Sequence, residues 1–209
     1  MDLDTPDAST GIGTTCGIAV PLVLALAATV VILLGWSRQP APRRSFGELV
    51  VLLAAHVLGS AIWLVLVPLL VIGALGSEIA STGTRMIDPQ SGFGAWMSGA
   101  VEWCLALALS GIVTGPAMTM AAIAFALQRR YAWWVGAAAA ALCVLHHLLA
   151  AIAIGAIAFS AYDAPSDGVL RALLLLFASG VLFVGVLQAA GLAWVARRAR
   201  RDRALLASV

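Results

Sequence analysis

The chain has 209 residues, of which 62% are hydrophobic and 11% are charged, with a formal net charge of +2. A soluble domain is about 45–50% apolar and about 25% charged, because polar side chains must cover its surface. The composition excludes an ordinary soluble domain, and the small net charge gives no support to nucleic-acid binding. It predicts an all-α integral membrane protein.

Five apolar runs are long enough to cross a bilayer as helices, which takes roughly 20 residues each. We number them as spans one to five and place them at about 17–36, 48–75, 97–127, 132–160 and 169–196. Spans two to five are longer than a bilayer requires, so they are expected to tilt, kink or project. Together the spans predict a five-transmembrane-helix bundle that forms a single membrane domain over residues 1–209.

The distribution of arginine predicts the orientation of the bundle. Ten of the twelve arginines follow spans one, three and five, whereas Arg85 and Arg171 lie on the other side. The positive-inside rule then places the N-terminus outside and the C-terminus in the cytoplasm. Acidic residues precede span one, which favours an uncleaved anchor over a signal peptide, since a signal peptide begins with a basic region. The absence of Lys and Asn suggests a GC-rich, bacterial source. We therefore expect a multi-pass protein of a bacterial inner membrane.

The segment after span five, residues 197–209, forms a basic tail. We expect this tail to lie along the inner membrane surface and to attract anionic lipid through Arg197, Arg198, Arg200, Arg201 and Arg203. The alternative is that these arginines only set the topology.

Two hairpins of the same orientation indicate an internal repeat. Spans two and three follow Arg43-Arg44, and spans four and five follow Arg129-Arg130. A parallel repeat of two helical hairpins after an added first helix is one interpretation, since some transporters use such repeats. Chance similarity between apolar helices is the other.

Ionisable side chains inside spans are candidates for function by default, because it is costly to desolvate them. As candidates for a proton or ligand path, the sequence offers Glu102, His147, His146, His56, Gln188 and Arg171. Adjacent helical residues point about 100° apart, so the two neighbouring histidines must face different ways. Small residues share a face with His147, which predicts an interior position for His147 and an edge position for His146.

Depth along the helices predicts two polar layers. At 1.5 Å per residue, His56 and Gln188 each lie roughly 12–14 Å from the cytoplasmic boundary. Glu102 and His147 are predicted to lie level with one another nearer the outer side, with Arg171 as an alternative partner of Glu102. Ser60, one turn after His56, is a further predicted hydrogen-bond partner of His56. The structural alternative for each histidine is a hydrogen bond between helices, worth about 0.6 kcal/mol on average. For Glu102 it is an ion pair with Arg171 that only holds two spans together.

Glycine and proline positions predict how the spans contact and bend. Gly111 and Gly115 have the spacing that permits close helix contact. Pro68 in span two and Pro116 in span three each remove a backbone donor, which predicts kinks.

Three functions fit these features, and no catalytic residue is predicted. The first is an accessory or scaffolding subunit that packs within the membrane against another membrane protein or a second copy of itself. The second is a small transporter or proton-coupled permease that uses Glu102, His147 and His56, since histidine titrates near neutral pH. The third is a redox protein that binds haem b through His56 and His147. The chain lacks HExxH and GxSxG motifs, which disfavours a hydrolase, and a metal site on Cys143 and His147 lacks further ligands.

Overall fold

The computed structural model describes residues 8–39, 45–83, 92–160 and 168–206. This part of the chain is almost entirely helical and contains no strand. The helices run over Ala8–Ser37, Phe46–Ala61, a π-helical turn Ile62–Leu66, Val67–Gly83, Gly92–Ala126, Ala132–Ser160 and Gly168–Leu206.

Five segments within the described helices are long and apolar enough to cross a membrane, judged by length and composition. They are Ala19–Ser37, Phe46–Gly76, Val101–Ala126, Ala132–Phe159 and Arg171–Arg201. The predicted five-helix architecture is confirmed, and these segments are spans one to five below. The largest difference from the predicted bounds is at span five, whose helix continues through the basic segment to Leu206.

Helix neighbours define the bundle. Span four packs between spans three and five, while span three also packs against spans one and two. Span two contacts span five through its first half, Phe46–Ala61. One buried cluster, which includes Leu52, Phe125 and Val195, lies near the ends that carry Arg129 and Arg198, called the basic end below. A second cluster, around Met118 and Leu192, fills the middle.

Glycines bring spans two and three into direct backbone contact. A Cβ atom at Gly59 would lie 2.6 Å from the Gly115 carbonyl oxygen, and one at Gly115 would lie 2.7 Å from the Gly59 carbonyl oxygen. Gly111 lies against the side chains of Ile62 and Val67 on span two. Close contact through Gly111 and Gly115 is therefore confirmed, and span two is the partner.

The two prolines predicted to kink the spans have different outcomes. Span two changes to π-helical geometry over Ile62–Leu66, immediately before Pro68. Pro68 has no N–H, so it cannot donate a hydrogen bond to the carbonyl oxygen one turn earlier. We attribute the wider π-helical turn to this missing hydrogen bond. Pro116 instead lies inside the uninterrupted helix Gly92–Ala126.

Side-chain contacts tie the basic end together. Arg198 Nε lies 2.9 Å from Glu48 Oε1 and joins spans five and two. Gln39, which follows span one, donates from Nε2 to the Ala126 carbonyl oxygen at the end of span three over 3.2 Å. Because helix C-termini leave carbonyl groups without intrahelical donors, Gln39 stabilises that end.

Candidate functional site

His56 is buried and hydrogen-bonded through both ring nitrogens. Its Nε2 lies 3.0 Å from the Ala25 carbonyl oxygen and 3.0 Å from Thr29 Oγ1, both on span one. Its Nδ1 lies 3.2 Å from Thr119 Oγ1 on span three and 3.4 Å from Ser60 Oγ. The predicted Ser60–His56 contact is confirmed.

The hydrogen-bond partners of His56 indicate the neutral tautomer that carries its hydrogen on Nε2. A carbonyl oxygen only accepts, so Nε2–H donates to Ala25, and Nδ1 accepts from the hydroxyl groups of Thr119 and Ser60. Both nitrogens are thereby satisfied, and the ring connects span two to spans one and three.

Gln188 does not meet His56, although the two were predicted to form one layer. Gln188 Nε2 instead donates to the Val51 carbonyl oxygen over 3.5 Å, and so connects spans five and two. His56 faces spans one and three, which lie on another side of span two from span five. Equal depth therefore did not produce a contact, because the two side chains face different neighbours.

His146 packs against span three. Its Nδ1 lies 2.7 Å from Ser110 Oγ, and the Ser110 hydroxyl donates to the Leu107 carbonyl oxygen over 3.0 Å. Since that hydroxyl has one hydrogen, Nδ1–H of His146 is the donor to Ser110.

His147 packs against span five. Its Nδ1 lies 2.8 Å from the Cys143 carbonyl oxygen, to which it can only donate. Gly185 provides the space for this ring, because a Cβ atom there would overlap the His147 side chain. Cys143 adds a contact of its own from Sγ to the Gly185 carbonyl oxygen at 3.8 Å.

The two neighbouring histidines therefore serve two interfaces. Their ring centroids are 5.6 Å apart and the ring planes are nearly perpendicular, at 86°. His147 is buried as predicted, at 6% exposed, but His146 is buried more deeply, at 2% exposed. The edge position predicted for His146 was wrong, because Gly111 and Ser110 let span three approach this face of span four.

Glu102 is exposed and forms no ion pair with His147 or Arg171. The His146–Ser110 contact sets the level of the histidines on span three, and Glu102 lies eight residues before Ser110. That separation is about 12 Å along a helix, so Glu102 and His147 are not level. Arg171 is on span five, and span four separates span five from span three. Both predicted pairings of Glu102 were therefore wrong.

Arg171 interacts with span four instead. Its Nε donates to the Ala158 carbonyl oxygen over 3.2 Å, and its guanidinium carbon lies 5.8 Å from the centre of the Phe159 ring. Span five is thus connected to the end of span four.

An apolar cavity of about 600 Å³ lies between spans two, three, four and five, in the half of the bundle away from the basic end. We call it the outer cavity. His146 and His147 line it together with apolar side chains that include Leu66, Ile154 and Phe177. A more open cavity of about 580 Å³ shares His147 and Phe177 with it. Neither histidine Nε2 atom has a hydrogen-bond partner among the described residues, and neither is sealed within the protein.

His56 lines a different cavity of about 250 Å³ with residues of spans one and three, which include Pro21 and Pro116. No described cavity is lined by both His56 and His147, the two histidines considered for haem. Within the described ranges, no three His, Cys, Asp or Glu side chains gather where a metal ion could bind.

The helix of span five continues through the first ten residues of the basic tail, to Leu206. Whether the tail binds anionic lipid stays a prediction. Arg198 is held by Glu48, and the Arg200 guanidinium carbon lies 5.5 Å from the centre of the Trp133 ring. Arg197 and Arg201 are exposed. The side chain of Arg203 lies outside the described side chains.

The hydroxyl side chains of Thr29 and Thr119, which contact His56, and of Ser110, which contacts His146, were not predicted as partners. Their presence within apolar spans was itself an indication, because Ser and Thr commonly hydrogen-bond between helices in membranes. Which hydroxyl meets which ring depends on helix order and register.

Comparisons with protein-family models, curated proteins and solved structures find no match to this chain. Its helices and their composition define a small polytopic membrane protein.

Proposed function

We propose that this protein is an accessory subunit that packs within the membrane against another membrane protein and contributes binding surfaces rather than catalysis. The observation that carries the proposal is how His56 is used. Both of its nitrogens connect helices, and Gln188 likewise donates to a backbone carbonyl of a neighbouring span. Within the described residues, Glu102, His147 and His56 make no connected path through the bundle.

Exposed or half-buried glycines with open space at their Cβ positions support an intramembrane partner. A Cβ atom at Gly73, Gly76 or Gly155 would meet no atom of the described residues within 4 Å. Small residues are enriched where membrane helices approach one another, because they allow backbones to come close. These glycines make no such contact with the described residues, and we infer that they receive a helix of a partner.

Photocrosslinking in the native membrane tests this surface. A photoreactive residue at Gly73 or Gly155 is expected to form an adduct with a different polypeptide. The matched control is Leu24, which is exposed on span one among large apolar side chains and is expected to react with lipid. Adducts with lipid alone at all three positions would contradict the proposal.

A small transporter is the second candidate function. The π-helical turn Ile62–Leu66 favours it, since such turns often occur at functional sites and this one borders the outer cavity. Proton flux into liposomes that contain the purified protein tests this candidate. Flux that depends on the protein and is lost in His147→Asn would favour it over an accessory role.

Haem binding is the third candidate. His147 favours it, because its Nε2 has no partner among the described residues and its ring lines a cavity. An absorption spectrum of the purified protein tests it, since haem gives a strong visible band.

A further inference from the structure

We propose that the outer cavity binds a lipid-soluble phenol of the hydroquinone class, whose hydroxyl donates a hydrogen bond to Nε2 of His146 or His147. This site does not depend on the accessory role, because the outer cavity and the glycines Gly73, Gly76 and Gly155 are different parts of the molecule.

The hydrogen bonds at Nδ1 determine what each ring presents to the cavity. Ser110 accepts from Nδ1–H of His146, and the Cys143 carbonyl accepts from Nδ1–H of His147. A neutral imidazole that carries its hydrogen on Nδ1 has a lone pair on Nε2. The outer cavity is therefore lined by two rings that offer hydrogen-bond acceptors. An acceptor that faces apolar surroundings without a donor is unfavourable, so a donor from a ligand would stabilise the site.

The apolar lining around the two histidines favours an uncharged ligand that donates a hydrogen bond. The other lining residues are almost all apolar, and it is costly to bring a charged head group to such a site. A phenolic hydroxyl is neutral and donates one hydrogen. The volume of about 600 Å³ lies in the range of roughly 300–1,000 Å³ that is typical of small-ligand sites. Trp103 and Phe177 provide aromatic walls suited to a planar ring.

The arrangement of spans two and five provides a route from the lipid. Glu48–Arg198 and the Val51–Gly191 contact hold these spans together toward the basic end. The outer half of span two, Val67–Gly83, packs mainly against span three. An apolar tail on the ring can therefore extend between spans two and five into the bilayer. Isoprenoid alcohols share the hydroxyl but lack the ring, and a long-chain alcohol probes that class.

Equilibrium binding to the full chain in lipid nanodiscs tests the proposal with three probes. Decyl-hydroquinone has the ring and the donor, decyl-benzoquinone has the same ring with acceptors only, and decanol has the donor without the ring. We expect the hydroquinone to bind about tenfold more tightly than the quinone, because only the hydroquinone can donate to Nε2. Decanol is expected to bind more weakly than the hydroquinone.

Substitutions test whether the preference for hydroquinone over quinone depends on the rings of His146 and His147. In His146→Asn and His147→Asn the amide can replace Nδ1, but no atom replaces Nε2. The double variant is expected to bind both ring probes equally. Ala150→Phe fills the outer cavity and is expected to abolish binding, whereas Ala138→Phe, at an exposed position on the same span, is expected to retain it.

Four results would overturn the proposal. They are equal affinity of the wild-type protein for hydroquinone and quinone, tighter binding of decanol, an unchanged preference in the double variant, and a haem absorption band that His146→Asn or His147→Asn removes. If the double variant does not fold, the comparison of the three probes on the wild-type protein still decides the matter.

Discussion

Ser110 Oγ lies 2.7 Å from Nδ1 of His146, and this hydrogen bond fixes the register between spans three and four. It lies next to Gly111, where span three is also close to Ile62 and Val67 of span two. A second polar contact joins spans three and four, from Thr114 Oγ1 to the Leu142 carbonyl oxygen at 3.5 Å. The level of Glu102 relative to the histidines follows from the Ser110–His146 contact.

Removing the Ser110 hydroxyl tests that contact directly. Ser110→Ala leaves the buried Nδ1–H of His146 without its acceptor, which is expected to lower the free energy of unfolding by about 1–3 kcal/mol. The matched control is Ser179→Ala, because the exposed Ser179 hydroxyl bonds only within its own helix, to the Leu175 carbonyl oxygen. Unfolding in mixed detergent micelles measures both. Equal effects of the two substitutions would show that the Ser110–His146 bond does not hold these spans.

Glu102 is expected to be uncoupled from the histidines. It is exposed, so Glu102→Gln should change the free energy of unfolding by less than about 0.5 kcal/mol. The double-mutant cycles of Glu102 with His147→Leu and with Arg171→Gln should both be additive, because the partners are not in contact. A coupling energy well above about 0.5 kcal/mol in either cycle would show that Glu102 does interact with that partner.

Two glycines on span five provide a matched comparison. A Cβ atom at Gly185 would overlap the His147 ring, whereas one at Gly180 would meet no atom within 4 Å in the part of the chain that the structure describes. Gly185→Ala is therefore expected to destabilise the protein by about 1–3 kcal/mol through overpacking. Gly180→Ala is expected to be neutral or slightly stabilising, since alanine is the better helix former. Melting temperatures in detergent report both effects. A larger loss for Gly180→Ala would contradict the packing of His147 on span five.

The apolar pattern was sufficient to predict the number and approximate position of the spans, because crossing a bilayer requires about 20 apolar residues. It also identified the close glycine contacts and the Ser60–His56 bond. The polar pairs were not predictable in the same way. Depth estimated from helix ends ignores which helices are neighbours, and span four separates Glu102 from Arg171. His146 looked peripheral because its own helix face carries Leu142 and Leu149, and the close approach comes from Gly111 on another span.

The orientation remains a prediction, based on the ten-to-two division of the arginines. A reporter active only in the cytoplasm is expected to be active when fused after Val209 and silent when inserted near Thr84, a position outside the described residues. The physical reason is that arginine-rich loops are retained on the cytoplasmic side during insertion. Activity at Thr84 would reverse the orientation.

The accessory role is tested most directly by native mass spectrometry of the protein extracted from its own membrane in polymer nanodiscs, without prior detergent. An accessory subunit is expected in one defined assembly with a different polypeptide. That assembly should be lost in Gly73→Leu or Gly155→Leu and retained in Leu24→Phe, because only the glycines offer close approach to a partner helix. Recovery of the wild-type chain alone, or only with copies of itself, would contradict the proposed function.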